Sequence, residues 1–363
     1  MPKSAYIHIP FCKSKCKYCT FVSFNKPEMI TGYMYSLMKE ISENYRNESL
    51  NTLYFGGGTP SLVPPELIGK VIKKFNITKD TEITFELNPD DTRSDYLKEL
   101  NALGINRLSI GVQTFDDEIL NLIGRRHNSK QITDTISMAR ETGFKNISVD
   151  LIYGLPNQTI NKLESDLDKF LELDIEHIST YGLKIEEGSF FASNPPNNIP
   201  DNDMQADMYE MINNILETNG FYRYEISNFS KKGYESKHNL NYWNNEEYYG
   251  FGVSAHGYVD NIRYSNYTIL EKYMENPSSH EYGKFLSEQE KLEEEIFLGF
   301  RKTEGINTGR IKEKYNIDFE KEYKEILSKY SDFIIKTPQG FALNLNGTML
   351  SNEILAEFIA EKE

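Results

Sequence analysis

The sequence predicts an α/β protein: six parallel strands joined by right-handed helical crossovers, followed by a smaller C-terminal α+β module. Three observations carry this. Short β-rich runs alternate with longer amphipathic stretches through the first half of the chain. The segment SNPPNNIP, Ser193–Pro200, breaks that alternation and reads as a loop. Beyond about position 286 helical runs come in succession and end in two short β-rich runs.

The predicted strands are Ala5–Ile9, Thr52–Phe55, Glu82–Leu87, Arg107–Ile110, Asn146–Leu151 and His177–Tyr181. Helical periodicity falls on Met29–Tyr45, Pro65–Phe75, Ser94–Leu103, Lys130–Thr142 and Ile160–Leu173. A strand, a helix and a further strand of the same sheet make a right-handed crossover, which places the loops after the strands at one end. In parallel sheets ligands gather at that carboxyl end. A helix over Asn202–Thr218 precedes an aromatic-rich region, Phe221–Tyr267. Ser287–Arg301, Thr308–Tyr315 and Phe319–Tyr330 read as helices, Phe333–Lys336 and Phe341–Leu345 as a hairpin, and a last helix starts at Ser351. That succession resembles a winged helix. The expected units are 1–200, an extension over 201–285, and 286–363.

Composition limits function. The 363 residues are 39% hydrophobic and 13% aromatic, which suits a buried core. Lys and Arg number 40 against 55 Asp and Glu, a net charge of −15, against the basic face a general nucleic-acid binder needs. No run approaches the ~20 apolar residues of a membrane span. The start MPKSAYIHIPF lacks a signal-peptide core, so a cytoplasmic location is expected.

All three cysteines lie in CKSKCKYCTF, at Cys12, Cys16 and Cys19. They are too close together for a disulfide framework, and Lys13, Lys15 and Lys17 make the loop unlike a core. A zinc site would want a fourth ligand, for which His8 is a candidate. A cubane iron–sulfur core held by three thiolates leaves one iron open, and open positions bind or react.

YIHIPFCKSKCKYCTF resembles the signature of the radical S-adenosylmethionine (SAM) superfamily. The resemblance implies a partial (β/α)6 TIM-type barrel with a 4Fe-4S cluster on Cys12, Cys16 and Cys19. SAM would chelate the fourth iron, and reduction would release a 5′-deoxyadenosyl radical. Tyr6 and Tyr18 belong to the same signature. FGGGTP follows strand two and lacks the lysine of a phosphate-binding loop. By resemblance Gly57, Gly58 and Thr59 contact the methionine end of SAM. Glu86 in TFELNPD and Asp150 in SVDLIYGLP suit the ribose hydroxyls, Gln113 in RLSIGVQTF and Arg125 in IGRRH the methionine portion, and Ile152 the adenine. Each alone reads equally as a surface ion pair or a strand-end hydrogen bond. Their succession at strand ends is what argues for a site.

The order HIPFC, GGGTP, ELNP, GVQTF, DLIYGLP is similar to the oxygen-independent coproporphyrinogen III oxidase group, from Tyr6 to about Phe358. That group contains a true oxidase and a heme-chaperone branch. The oxidase has a further cysteine two positions after the third, where this chain has Phe21, and a longer segment before strand one than Met1–Ser4. His238-Asn239-Leu240-Asn241-Tyr242-Trp243 resembles the HNxxYW element of the chaperone branch, which implies heme contact by His238, Asn239, Tyr242 and Trp243. His256 is a second candidate ligand. The expected function is therefore heme binding and delivery to an acceptor protein. Membrane-bound heme enzymes would be partners and the cluster would support a homodimer. A radical SAM tetrapyrrole-modifying enzyme is one alternative, and a zinc-binding interaction module another.

Overall fold

The computed structural model describes residues 1–359; the last four positions of the expected 286–363 unit lie outside them. All six expected strands form: β1 (Ser4–Ile9), β2 (Thr52–Gly57), β3 (Glu82–Leu87), β4 (Arg107–Gln113), β5 (Ile147–Tyr153) and β6 (His177–Gly182). They are parallel and pair in chain order from β1 to β6. Between them run α1 (Ile30–Asn44), α2 (Pro65–Ile72), α3 (Ser94–Ala102), α4 (Asp117–Leu122), α5 (Ser129–Glu141) and α6 (Ile160–Glu172). Beyond β6 come α7 (Phe190–Ser193) and α8 (Asn202–Thr218). The curled sheet does not close. Antiparallel β7 (Tyr222–Arg223) and β8 (Asn228–Ser230) extend the β6 side, and β9 (Tyr249–Phe251) adds in parallel to β1.

Side chains alternate across each strand. One set, Ile7, Ile9, Leu53, Phe55, Phe85, Ile110, Val149 and Leu151, packs with Leu37, Val71, Leu100, Ile136 and Leu167 of the crossover helices into one core. The other set is polar: Tyr6, His8, Tyr54, Glu86, Ser109, Asp150. A parallel sheet buried on both faces normally reads as an unbroken apolar run. Here the polar face lines the inside of the curl, and a functional interior follows from that pattern.

The C-terminal part has its own core, built on Leu292, Ile296, Phe300, Phe319 and Phe358. Its first helix, Glu288–Gly299, opens with a capping box between Ser287 and Glu290. A small antiparallel sheet of β13 (Ile306–Asn307), β15 (Gly340–Leu343) and β14 (Ile334–Lys336), in that order, supplies the wing. The helix expected over Phe319–Tyr330 is two short ones, Phe319–Glu322 and Lys324–Lys329, because Tyr323 leaves helical geometry at φ −108°, ψ 23°. Sequence reading also missed α4 and a three-stranded sheet of β10 (His256–Val259), β11 (Ile262–Asn266) and β12 (His280–Phe285) in the aromatic region.

Candidate cofactor site

The cysteine loop leaves β1 at its carboxyl end and is tied down on both sides. Cys12 N–H donates to Phe24 O (3.1 Å), Lys17 N–H to Ile123 O (2.9 Å), and Phe191 N–H to Lys17 O (2.9 Å). Cys12, Cys16 and Cys19 are half-buried and face one cavity of about 560 Å³, a size typical of small-molecule sites. Burial pushes the Cys12 and Cys19 thiols up. Burial thus disfavours the thiolate form of these two, which a bound metal would stabilise.

Gly56-Gly57-Gly58 lets β2 end against this loop. A Cβ on Gly58 would stand 2.7 Å from Phe11 O, and Gly57 has φ +112°, a region that penalises any side chain. Thr59 N–H donates to Phe11 O (2.7 Å). From Thr59 a hydrogen-bonded arc joins two of the cysteines. The Thr59 hydroxyl donates to Cys12 Sγ (3.6 Å) and accepts from Asn88 Nδ2 (3.0 Å). Arg125 Nη2 donates to Asn88 Oδ1 (2.7 Å) and to Gly111 O, while Nη1 donates to Cys16 Sγ (3.6 Å). Asn88 is the residue sequence reading missed here. It stands in the ELNPD segment, next to the proline that stops β3, and a polar side chain flanked by Pro89 at a strand end was the available signal.

The remaining strand ends converge on the same cavity. Glu86 accepts from the Tyr54 hydroxyl (2.8 Å) and from Gly57 N–H (3.1 Å). Burial pushes its carboxyl up to about 7 and that of Asp150 up to about 6. Gln113 holds φ +75° at a register shift between β4 and β5, and its buried Oε1 has no partner among the described residues. The same is true of Arg125 Nε. Tyr18 and Ile152 pack with Ile119, Ile123, Leu155 and Phe191 into an apolar wall. Ser109, Tyr181, Leu183 and Phe21 also line the cavity, and Phe21 is 61% exposed.

Two expected positions fall elsewhere. Tyr6 does not line the cavity; its hydroxyl bonds His8 Nδ1 (3.0 Å) and its ring stacks on Tyr54, one layer deeper in the curl. His8 bonds Val22 O through its other nitrogen (3.0 Å), so both ring nitrogens are engaged and it is no fourth metal ligand.

The HNLNYW element forms the helix α9 (Lys237–Trp243) at the opposite, amino end of the strands. Glu82, at the start of β3, accepts from Lys237 and His238 N–H (3.3 and 3.2 Å). Ser4, at the start of β1, donates to Asn241 (2.9 Å). His238 is buried; Nδ1 bonds the Thr52 hydroxyl (2.7 Å), Nε2 bonds the Tyr242 hydroxyl (2.8 Å), and the ring stacks on Tyr54. Burial, with the Arg107 charge, lowers its pKa to about 3. In this fold the imidazole presents no free nitrogen to an iron. Asn239 and Trp243 are half-buried on the same helix. Of the six histidines, His256 is the one that is exposed and has no hydrogen-bond partner among the described residues.

Comparison with known proteins bears on the same residues. A family model for the radical SAM superfamily matches residues 6–170, and one for the HemN C-terminal domain matches 286–350. The heme chaperone HemW of Lactococcus lactis is 37% identical over 99% of this chain and 98% of its own length. That of Bacillus subtilis is 38% identical over 99% and 100%. The chain belongs to the HemW family of radical SAM proteins. Among solved structures, coproporphyrinogen III oxidase (HemN) from Escherichia coli superposes with a TM-score of 0.88, covering 99% of this chain and 91% of that one at 23% identity. That likeness shows the shared fold alone.

Radical SAM proteins such as the HemW family use a 4Fe-4S cluster and SAM. The donor set fits both. No three His, Cys, Asp or Glu side chains among the described residues close on a single metal ion, yet three thiols line one cavity, an arrangement that suits a larger core. Acceptors for hydroxyls, a guanidinium for a carboxylate and an apolar wall for a base stand around it. No helix among the described residues is long and apolar enough to cross a membrane.

Proposed function

We propose that this protein is a heme chaperone that keeps a cluster and SAM at the carboxyl end of its barrel and passes heme to an acceptor protein. The observation that carries this reading is 37–38% identity, over 99% of this chain, with proteins named for that role. In it Cys12, Cys16 and Cys19 hold the cluster. The Thr59–Asn88–Arg125 arc hydrogen-bonds two of the sulfurs, those of Cys12 and Cys16, and so fixes their direction. Gly57, Gly58, Gln113 and Arg125 receive the methionine portion of SAM, Glu86 and Asp150 the ribose, Tyr18 and Ile152 the adenine. Bound there, the cluster would supply an electron to SAM. The chain's own part is to orient the nucleoside and to keep water from the apolar side of the pocket.

For heme, contact at α9 requires that His238 leave the Thr52 and Tyr242 hydroxyls, whereas His256 is accessible as folded. The proposal extends to a cytoplasmic location, membrane-bound heme enzymes as acceptors and a cluster-dependent homodimer. Anaerobic reconstitution followed by absorption spectra with and without heme tests the central reading. The expected result is cluster absorption together with stoichiometric heme uptake. Formation of protoporphyrinogen IX from coproporphyrinogen III, with SAM and a reductant, would overturn it in favour of the oxidase.

A further inference from the structure

Arg107 opens β4 and is 2% exposed. Alternation puts its side chain on the same face of the strand as Ser109 and Gly111, which line the cavity, but two residues nearer the amino end than Ser109. Its Nε is buried without a hydrogen-bond partner, and no described residue forms an ion pair with it. A buried charge left unpaired in this way is expensive unless nearby charge offsets it. The register places that charge. Glu86 of β3 pairs beside Ser109, and Asp150 of β5 beside Gly111, so the two carboxylates flank β4 just above the guanidinium.

We propose that Arg107 is a positioning residue, the buried counter-charge that lets Glu86 and Asp150 both stay ionised as acceptors for ribose hydroxyls. The inference rests on the reading of the cavity as a SAM site. The other groups around the guanidinium do not supply this charge. Tyr54 of β2, Tyr181 of β6 and Tyr224 beyond β7 are neutral phenols raised by burial. His177 of β6 and His238 of α9 are kept neutral by burial. Glu225 is occupied by Asn228 and Ser227 N–H. Arg125, the other cation near Asp150, is committed to Asn88, Gly111 and Cys16. Burial raises the Glu86 and Asp150 carboxyls, and the Arg107 charge draws both back down. A protonated carboxyl accepts one ribose hydroxyl less well than a carboxylate accepts two.

The test is SAM binding by the anaerobically reconstituted full chain from pH 6 to 9. Arg107→Met is expected to weaken binding about tenfold at pH 7, the equivalent of a one-unit rise in a carboxyl pKa, with the gap closing toward pH 9. Arg107→Lys, which keeps the charge, should follow the wild-type profile. Identical pH profiles for Arg107→Met and wild type would overturn the inference. Calorimetry on the wild type in buffers of different ionisation enthalpy decides it even if Arg107→Met fails to fold. Ionised carboxylates predict proton release at pH 8 no larger than the fraction of a proton that the SAM amino group gives up on chelation, and release of about one proton beyond that overturns the proposal. Wild-type protein that binds no SAM at any pH removes the cavity reading itself, and this inference with it.

Discussion

The two ends of the barrel use the same kinds of residue and finish them differently. At the amino end α9 plugs the curl, and most of the groups that seat it are paired: Glu82 with two backbone N–H groups, Thr52 and Tyr242 with the two nitrogens of His238, with Trp243 Nε1 and Arg107 Nε left over among the described residues. At the carboxyl end three thiols face a cavity, Gln113 Oε1 and Arg125 Nε have no partner among the described residues, Gly57 accepts a left-handed backbone, and carboxylates are raised by burial. Saturated polar groups specify a fold; unsaturated ones around a cavity specify a ligand. In barrels of this kind the carboxyl end carries chemistry and the amino end carries stability.

The sharpest way to break this contrast is to replace the thiols. Cys12→Ser, Cys16→Ser or Cys19→Ser should reduce iron and sulfide to background after reconstitution and abolish the cluster-dependent part of SAM binding. The far-ultraviolet circular dichroism and urea midpoint of the apo protein should stay near wild type. A variant that unfolds instead would mean the loop is structural and the two ends are alike.

His238→Ala attacks the other end. It removes a buried ring and leaves the Thr52 and Tyr242 hydroxyls unpaired, a loss of about 3 kcal/mol in urea denaturation of the apo protein. Cluster content should be unchanged. His256→Ala should shift stability by no more than about 0.5 kcal/mol and lower heme uptake in a spectroscopic titration. Heme uptake unaltered in His256→Ala but lost in a still-folded His238→Ala would put the porphyrin at α9 after all. The amino end also predicts a pH effect with a fixed sign. The folded His238 pKa, about 3, lies below the unfolded value. Its neutral form therefore contributes full stability above pH ~6.5, and that contribution falls as pH drops toward 3.

The six strands, the cysteine loop and the glycine turn were legible because each is a local pattern: alternation, spacing, a glycine run after a β-rich stretch. Asn202–Thr218 and Thr308–Tyr315 match their expected bounds residue for residue for the same reason. What sequence could not show depends on distant contacts. β9 is three residues long and exists because β1 offers an edge. Glu82, Thr52 and Ser4 turn HNLNYW from an apparent ligand platform into a buried plug. Arg107 reads as an ordinary strand-initial cation until the register sets two carboxylates around it.

Glu86 tests whether the carboxyl end is held at a cost to the fold. Its folded pKa, about 7, lies above the unfolded one. Its stabilising contribution is therefore present below the unfolded pKa and is lost as pH rises through 7; at pH 8 the ionised group works against folding. Glu86→Gln should raise apo stability by about 1–2 kcal/mol at pH 8 and by little at pH 5, measured by thermal unfolding, while weakening SAM binding. Equal shifts at both pH values would show that the carboxylate is not under strain.

The smallest effect on the fold should come from Gln113. Its φ of +75° suits few residue types, but asparagine tolerates that region best after glycine. Gln113→Asn therefore preserves the backbone solution at the end of β4 and changes only reach, withdrawing the side-chain oxygen by one methylene. Apo stability should move by no more than about 0.5 kcal/mol, since the buried Oε1 makes no bond to protein that can be lost. SAM affinity should fall about three- to tenfold, the loss expected for one neutral hydrogen bond. A residue that costs the fold nothing when shortened, yet costs the ligand, is what the carboxyl end should contain and the amino end should not. The matching change at α9, Thr52→Val, should invert the pair of readouts, lowering stability and leaving SAM binding alone.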